Sequence, residues 1–204
     1  MKLRGLILAA AAAVAGVALW LRKNPSACPY GQRFWVEAPH PLITRARLRE
    51  ILEAKPGERI LEVGPGTGYY TLDVAEWVNP EGQIDILDLQ REMLDHTMRR
   101  ADERGLANVT PTLADATALP YEDDAFDAAF LITVLGEIPD QEAALREVAR
   151  VLRPGGRLVV GEVALGDPHY VRLAPMRLRA GGAGLNYERR VGNALGYFAR
   201  FAKS

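Results

Sequence analysis

Arg59-Ile60-Leu61-Glu62-Val63-Gly64-Pro65-Gly66-Thr67-Gly68 is the stretch on which the rest of the chain is organised. Ile60, Leu61 and Val63 form a short apolar run of the kind that builds a buried strand. The three glycines that follow turn the chain sharply, and Tyr69 to Trp77 is expected as a helix. Gly64, Gly66 and Gly68 accept dihedrals forbidden to a residue with a Cβ and leave backbone bare for a ligand. Strand, glycine turn and helix N-terminus together make a nucleotide-type site at the carboxyl end of a parallel sheet.

The residue types narrow the ligand. A dinucleotide fingerprint needs a third glycine three residues after the second, and Tyr69 stands there. A phosphate-cradling loop needs Gly-Lys-Ser/Thr, whereas Gly68 is followed by Tyr69 and Tyr70. Glu62 at the strand end repels a pyrophosphate and suits a cation. The stretch resembles motif I of the class I S-adenosylmethionine-dependent methyltransferases, Glu/Asp-x-Gly-x-Gly-x-Gly. Their ligand carries a sulfonium and an ammonium and no phosphate. By this resemblance Glu62, Gly64, Gly66 and Gly68 belong to the cofactor site.

Gln83 to Asp88 alternates and is expected as the second strand, after the turn Asn79-Pro80-Glu81-Gly82. Asp88 ends it about 20 residues beyond Gly68, the spacing at which an acid reaches ribose hydroxyls in such folds. A carboxylate accepts two hydrogen bonds from a vicinal diol. Asp88-Leu-Gln-Arg-Glu-Met-Leu94 is similar to the family's Asp-x-Ser-x-x-Met-Leu signature, which puts Leu89 at the cofactor too. Met93 and Leu94 are expected to face the core, and Asp85 lies too far back in the strand to reach the site.

Val109 to Leu113 is a third strand. Ala114 to Asp127 then closely resembles the family's Gly-Asp-Ala-x-x-Leu-Pro-Phe-x-Asp-x-Ser-Phe-Asp run, with Ala114 replacing the usual Gly. The resemblance implies that Asp115 accepts from the adenine amino group and that the Ala116 backbone N–H serves the ring. Glu122, Asp123 and Asp124 read as a solvated turn. Ala128 to Thr133 is apolar, hence a strand buried on both faces, with Thr133 at its cofactor end.

The acceptor side is less sharply written. Glu137 is the ionisable residue of Thr133 to Pro139; it serves either as a helix-capping group or as a general base or orienter of the acceptor. Gln141 to Leu152 is a helix stopped by Arg153-Pro-Gly-Gly156, and Arg157 to Val163 is the fifth strand. Val151 to Val160 matches the family's segment after these motifs. His169 and Tyr170 follow on the same rim, where they either touch the acceptor or cap and pack. Val171 to Ala180 is a short helix, and Leu185 to Val191 with Leu195 to Ala202 a hairpin turning through Gly192-Asn193.

The chain has 204 residues, a net charge of −1 and 25% charged residues, which describes one ordinary domain with an appendage rather than a nucleic-acid binder. Its single cysteine, Cys28, makes an internal disulfide impossible and reads as an inert thiol; the scattered histidines have no metal-ligand spacing. Gly5 to Leu21 carries no charge over 17 residues, with Lys2 and Arg4 before it and Arg22 and Lys23 after. As a helix it spans roughly 25 Å, just short of a hydrocarbon core. A cleaved signal peptide, with Ala13-Val14-Ala15 as the cleavage site, and a soluble helix are the competing accounts. An uncleaved anchor, spanning the membrane or lying in its interface, is favoured, because Trp20 suits an interfacial belt and Arg22, Lys23 and Arg33 keep the following domain in the cytoplasm.

Residues 24–41, rich in Pro and aromatics, are then a linker that orders against a domain spanning 42–204. Leu42 to Ala54 is an amphipathic helix burying Ile43, Leu48, Ile51 and Leu52. Its three arginines form a solvated face or meet anionic headgroups. Val171 to Ser204 carries seven basic residues against Glu188, which suggests a basic side apposed to anionic lipid.

Four motifs in the family's order identify the chain as resembling class I methyltransferases, and most of all the menaquinone and ubiquinone biosynthesis branch. The fold implied is a Rossmann-like seven-stranded α/β sheet in the order 3-2-1-4-5-7-6, the last strand antiparallel, with helices on both faces. The cofactor implied is S-adenosylmethionine, leaving as S-adenosylhomocysteine, with no metal. An anchored domain suits a lipid-soluble acceptor: a quinone ring, a phospholipid amine or an acyl derivative. A tethered enzyme for soluble metabolites and a non-catalytic S-adenosylmethionine-binding regulator are the alternatives. The oligomeric state is not legible.

Overall fold

Seven strands hydrogen-bond into one sheet in the order β3-β2-β1-β4-β5-β7-β6, in a computed structural model that describes Gly16 and residues 24–204. They are β1 (Arg59–Val63), β2 (Gln83–Asp88), β3 (Val109–Leu113), β4 (Phe126–Ile132), β5 (Leu152–Val163), β6 (Leu185–Asn193) and β7 (Gly196–Lys203). The first five run parallel; β7 is antiparallel to both β5 and β6. The helices are α1 (Phe34–Glu37), α2 (Arg45–Leu52), α3 (Thr71–Val78), α4 (Arg91–Glu103), α5 (Gln141–Val151) and α6 (Leu173–Gly182). The strand order and the antiparallel last strand are those expected from the motifs.

The two-residue period of the strands divides the core in two. Leu61 and Val63 point to the face shared with Leu131 and Val160, covered by Leu145 and Val148 of α5 and Met176 of α6. Ile60, Ile84, Phe130 and Val159 point to the other, covered by Leu48, Ile51 and Leu52 of α2 and by residues of α3 and α4. Both faces being covered, the central strands read as continuous apolar runs.

Several boundaries differ from the expectation, each for a local reason. α3 starts at Thr71, because the two tyrosines before it are drawn into an aromatic cluster: the Tyr69 ring meets His40 edge-on at 4.6 Å, and the Tyr70 hydroxyl donates to the Ile43 carbonyl at 2.5 Å. α2 starts at Arg45, where Thr44 Oγ1 accepts from the Arg47 N–H at 3.3 Å, and it ends at Glu53 in the left-handed region. β4 begins two residues early because Phe126 pairs with Leu152, and β5 begins there too. The hairpin turns through Ala194-Leu195 rather than Gly192-Asn193: Asn193 pairs with Gly196, and its Oδ1 accepts from the Leu195 N–H at 2.9 Å. The basic residues of α2 are engaged within the fold. Arg45 pairs with Asp73 at 2.8 Å, Arg47 donates to the Leu42 carbonyl, and Arg49 lies over the Trp77 ring. In the tail, Arg189 and Arg200 share Glu53, Lys203 holds Asp124, and Arg177 lies over Tyr187.

One buried ion pair ties these layers together. Arg157 in β5 is forked onto both oxygens of Glu58, just before β1, and donates to the Leu52 and Glu53 carbonyls at the end of α2. Both side chains are 9% exposed. Removing one partner of such a pair leaves an uncompensated buried charge, which costs about 3–5 kcal/mol. Arg157→Met should therefore lower the unfolding free energy by that order, seen as a lower urea midpoint with the m-value unchanged in equilibrium denaturation.

Candidate active site

The carboxyl ends of β1, β2 and β4 open into a cavity of about 250 Å³. β1 ends because its backbone must turn: the Gly64 N–H still donates to the Leu87 carbonyl at 2.8 Å, but Gly64 itself has φ +71°. A Cβ there would run into the Val134 side chain, and one on Gly66 would lie 2.6 Å from Val36 Cγ1. Gly64, Gly66, Val36 and Val134 all line the cavity. Thr133 lines it as well and holds φ +57°, a rare conformation for a β-branched residue. Its N–H donates to the Gly161 carbonyl and its hydroxyl to the Ile132 carbonyl, so β4 and β5 hold it there.

Of the residues expected at the cofactor, Gly64, Gly66, Asp88, Leu89, Asp115, Ala116 and Thr133 come together around this cavity. Glu62 and Gly68 stand behind it. Glu62 is 3% exposed and accepts from Thr71 Oγ1 at 2.5 Å, so its carboxyl anchors the start of α3; burial pushes its pKa up to about 8. Gly68 has φ +80° and packs against Thr97 of α4. Of the residues expected at the acceptor, Glu137 lines the cavity. His169 and Tyr170 are not among its lining residues. The His169 N–H donates to Asp167 Oδ1 at 2.7 Å and its carbonyl lies against Gly136. The Tyr170 hydroxyl donates to the Ala194 carbonyl at 2.9 Å, its ring edge-on to Tyr197.

Residues 24–41 do more than link. They carry a 3-10 turn (Tyr30–Gln32) and α1, and Pro25 to Cys28 form one wall of the cavity. Gln90, just after β2, straps them down: its Nε2 donates to the Cys28 carbonyl at 2.9 Å and its Oε1 accepts from the Tyr30 N–H at 3.0 Å. The Cys28 N–H donates to Glu137 Oε2 at 3.2 Å. Val36, Cys28 and Gln90 were not legible as site residues, because each meets the cavity through chain-distant contacts. Met93, expected in the core, lines the cavity as well. The Cys28 thiol has its pKa raised by burial and by the nearby Glu137 and Asp167, which disfavours the thiolate.

The electrostatics have one sign. Asp88, Asp115 and Glu137 line the cavity, and among the described residues no lysine, arginine or histidine does. Burial pushes Asp88 up to about 6, against N–H donors from Gln90 and Leu89 that hold it down. Burial pushes Glu137 to about 8, with the Cys28 N–H opposing and the charges of Asp167 and Asp88 adding. Such a cavity disfavours phosphate and favours a cation. The residues present therefore fit S-adenosylmethionine. Asp88 and Asp115 are placed to accept hydrogen bonds, the glycine backbone is bare, and the acids suit a sulfonium and an ammonium. Among the described residues no cluster of His, Cys, Asp or Glu is arranged to hold a metal.

Known proteins place this geometry. The profile of the ubiE/COQ5 methyltransferase family matches residues 39–173. The chain is 38% identical over 110 residues to the ubiquinone/menaquinone biosynthesis C-methyltransferase UbiE of Vibrio parahaemolyticus, covering 53% of this chain and 42% of that one. It is 41% identical over 113 residues to an uncharacterized 37.1 kDa protein in transposon TN4556 of Streptomyces fradiae, covering 55% and 32%. Each match thus spans less than half of the relative's length. A SAM-dependent methyltransferase of Aquifex aeolicus shares the fold with a TM-score of 0.78 at 22% identity, over 86% of this chain and 98% of that one.

The raised pKa of Glu137 has a measurable consequence. In the unfolded chain this carboxyl ionises near its ordinary 4.5, whereas in the fold it keeps its proton to about 8. The unfolded state then binds fewer protons in that window, so this group makes stability fall as pH rises from about 4.5 to about 8 and adds no further slope above. Glu137→Gln should flatten the pH–stability curve in that window by up to about 1.4 kcal/mol per pH unit, as read from urea unfolding at a series of pH values.

Proposed function

The chain belongs to the ubiE/COQ5 methyltransferase family, and from that premise we propose that it transfers a methyl group from S-adenosylmethionine to a small, lipid-soluble acceptor. The observation that carries this is the cavity's lining, acidic without a cation among the described residues and bounded by bare glycine backbone. The quinone ring heads the acceptor classes because the matched relatives are named for ubiquinone and menaquinone biosynthesis. A phospholipid amine or an acyl derivative has the same lipid solubility.

When bound, S-adenosylmethionine supplies the electrophilic methyl group, and the chain's residues do the rest. Asp88 accepts from the ribose hydroxyls, Asp115 from the adenine amino group, and the Ala116 N–H serves the ring. Pro25 to Cys28, held by Gln90 and Glu137, keep water from that wall of the site. Glu137 sits at the cavity with its pKa raised to about 8, so as the pH passes that value its carboxylate becomes free to act as a general base. It takes the proton that the acceptor gives up on methylation. Alignment of the acceptor supplies most of the remaining rate.

The anchor belongs to the same proposal. Among the described residues no helix is long and apolar enough to cross a membrane. The expected anchor, 1–23, lies outside them except for Gly16. Its charge-free stretch, its flanking basic residues and the choice of a lipid-soluble acceptor support a tethered domain on the cytoplasmic side.

The test is transfer of a radiolabelled methyl group to a membrane extract, with the labelled product identified; no labelled lipid-phase product would sink the acceptor assignment. Asp88→Ala should weaken S-adenosylhomocysteine binding by about 1.5–3 kcal/mol per lost charge-assisted hydrogen bond, measured by calorimetric titration. Glu137→Gln should bind S-adenosylhomocysteine normally yet lose about 10²-fold or more in turnover. It should also lose the rise in rate that the parent enzyme shows as pH passes about 8.

A further inference from the structure

The two edges of the sheet differ in kind. At the amino edge charges are paired: Arg59 holds Asp85, Arg153 holds Asp127, Arg157 holds Glu58, and Lys203 holds Asp124. At the carboxyl edge leucines stand exposed. Leu89 follows β2 at 59% exposure, Leu113 ends β3 at 46%, Leu165 follows β5 at 65%, and Leu195 sits in the β6–β7 turn at 49%. The Ala164 N–H donates to the Leu195 carbonyl, so Leu165 and Leu195 are neighbours. In the strand order, the first two leucines lie on one side of the β1 and β4 ends and the other two on the opposite side. The cavity opens between them, and Leu89 lines it. Two exposed carboxylates on this edge are engaged in local caps: Asp115 accepts from Thr117 and Asp140 from the Ala143 N–H.

The chain itself says what meets this edge. Pro25 to Cys28 wall the cavity, and the charge-free stretch Gly5 to Leu21 ends four residues before Pro25. Four residues reach at most about 14 Å, so the most apolar segment of the sequence joins the domain beside the cavity mouth. Exposed apolar side chains grouped on one rim, next to an apolar segment, are a membrane-facing arrangement.

We infer that the carboxyl edge of the sheet docks on the bilayer, with Leu113, Leu165 and Leu195 entering the lipid interface and the cavity receiving its acceptor directly from the membrane. What enters the cavity rests on the acceptor proposed above; the docking itself rests on the rim. The inference assigns the contact to this edge and not to the basic tail, four of whose seven basic residues, Arg177, Arg189, Arg200 and Lys203, are engaged within the fold. It also gives the strap a second role, since the wall that closes the cavity is the segment nearest the lipid.

Spin labels on the full chain test this. In a Cys28→Ser background, single cysteines replace Leu165 or Leu195 on the rim, or Leu178 on α6 between Arg177 and Arg179. Vesicles of mixed phosphatidylcholine and phosphatidylglycerol are added, and collision with a water-soluble nickel chelate is measured. Collision should fall several-fold at 165 and 195 and stay unchanged at 178. Leu165→Glu and Leu195→Glu, in the chain with Cys28 intact, should each weaken vesicle binding about tenfold or more, with S-adenosylhomocysteine binding intact as evidence of folding.

Rim labels that stay wet on vesicle-bound protein would overturn the inference, as would protection at 178 instead, which would mark the basic side as the contact. Rim labels already shielded before vesicles are added would also overturn it, because the N-terminal segment or a second copy would then cover the rim. A chain that does not float with vesicles refutes it outright. If docking holds but S-adenosylhomocysteine does not bind, the methyltransferase proposal falls and the docking stands.

Discussion

The Gly64 N–H donates to the Leu87 carbonyl at the last rung of the β1–β2 ladder, and one residue pair beyond it the strands part. Everything at the site follows from that parting. β1 is central, with β2 on one side and β4 on the other, and both faces are sealed by helices. Its carboxyl end has nowhere to continue, so the chain leaves through φ values that glycine takes without cost. The gap this opens is bounded by the ends of three strands and is deep enough to desolvate what lines it. Thr133 shows the same pressure on the neighbouring strand, held at positive φ by the hydrogen bonds it donates to carbonyls of both β4 and β5.

Desolvation then decides the chemistry. Asp88 and Glu137 are both pushed upward, but by different amounts, to about 6 and about 8. The difference has a structural source. Asp88 sits at a strand end where two successive backbone N–H groups face it, whereas Glu137 has one N–H donor and two neighbouring acids. At neutral pH one carboxyl is mostly charged and the other mostly neutral. The two acids of one cavity are thereby pushed to different protonation behaviour, which is what the proposed roles of Asp88 and Glu137 draw on. Glu162, fully buried in β5 with its Oε2 accepting from the Val171 N–H, is raised chiefly by burial, with the charges of Asp167 and Glu137 adding.

The parts of the chain legible in advance were those governed by near neighbours in sequence. β2 and β3 stand on the residues expected, because their apolar alternation and flanking turns are local properties. The glycine turn and Asp88 were legible from residue type and spacing after a strand, and the Asp115-Ala116 pair only through the family resemblance of the run that holds it. The misplaced boundaries were set by partners far along the chain. Tyr70 leaves the helix for Ile43 and His40, and Phe126 joins β4 because Leu152 pairs with it. Glu62 has the right type and position for a ligand, yet its carboxyl is taken by Thr71, which no spacing rule discloses.

The sequence by itself determined the acidic, glycine-bounded end of the central strand, because short-range pattern and residue chemistry suffice for that, and its motifs carried the family resemblance that implied the sheet order. Only the tertiary structure decided that Pro25 to Cys28 wall the cavity, that Gln90 and Glu137 hold them, and that His169 and Tyr170 stand aside. Only it collected Leu113, Leu165 and Leu195 on one edge. Those contacts join residues up to 109 positions apart, as with Cys28 and Glu137. Such a contact depends on how whole layers pack, a property that no window of sequence contains.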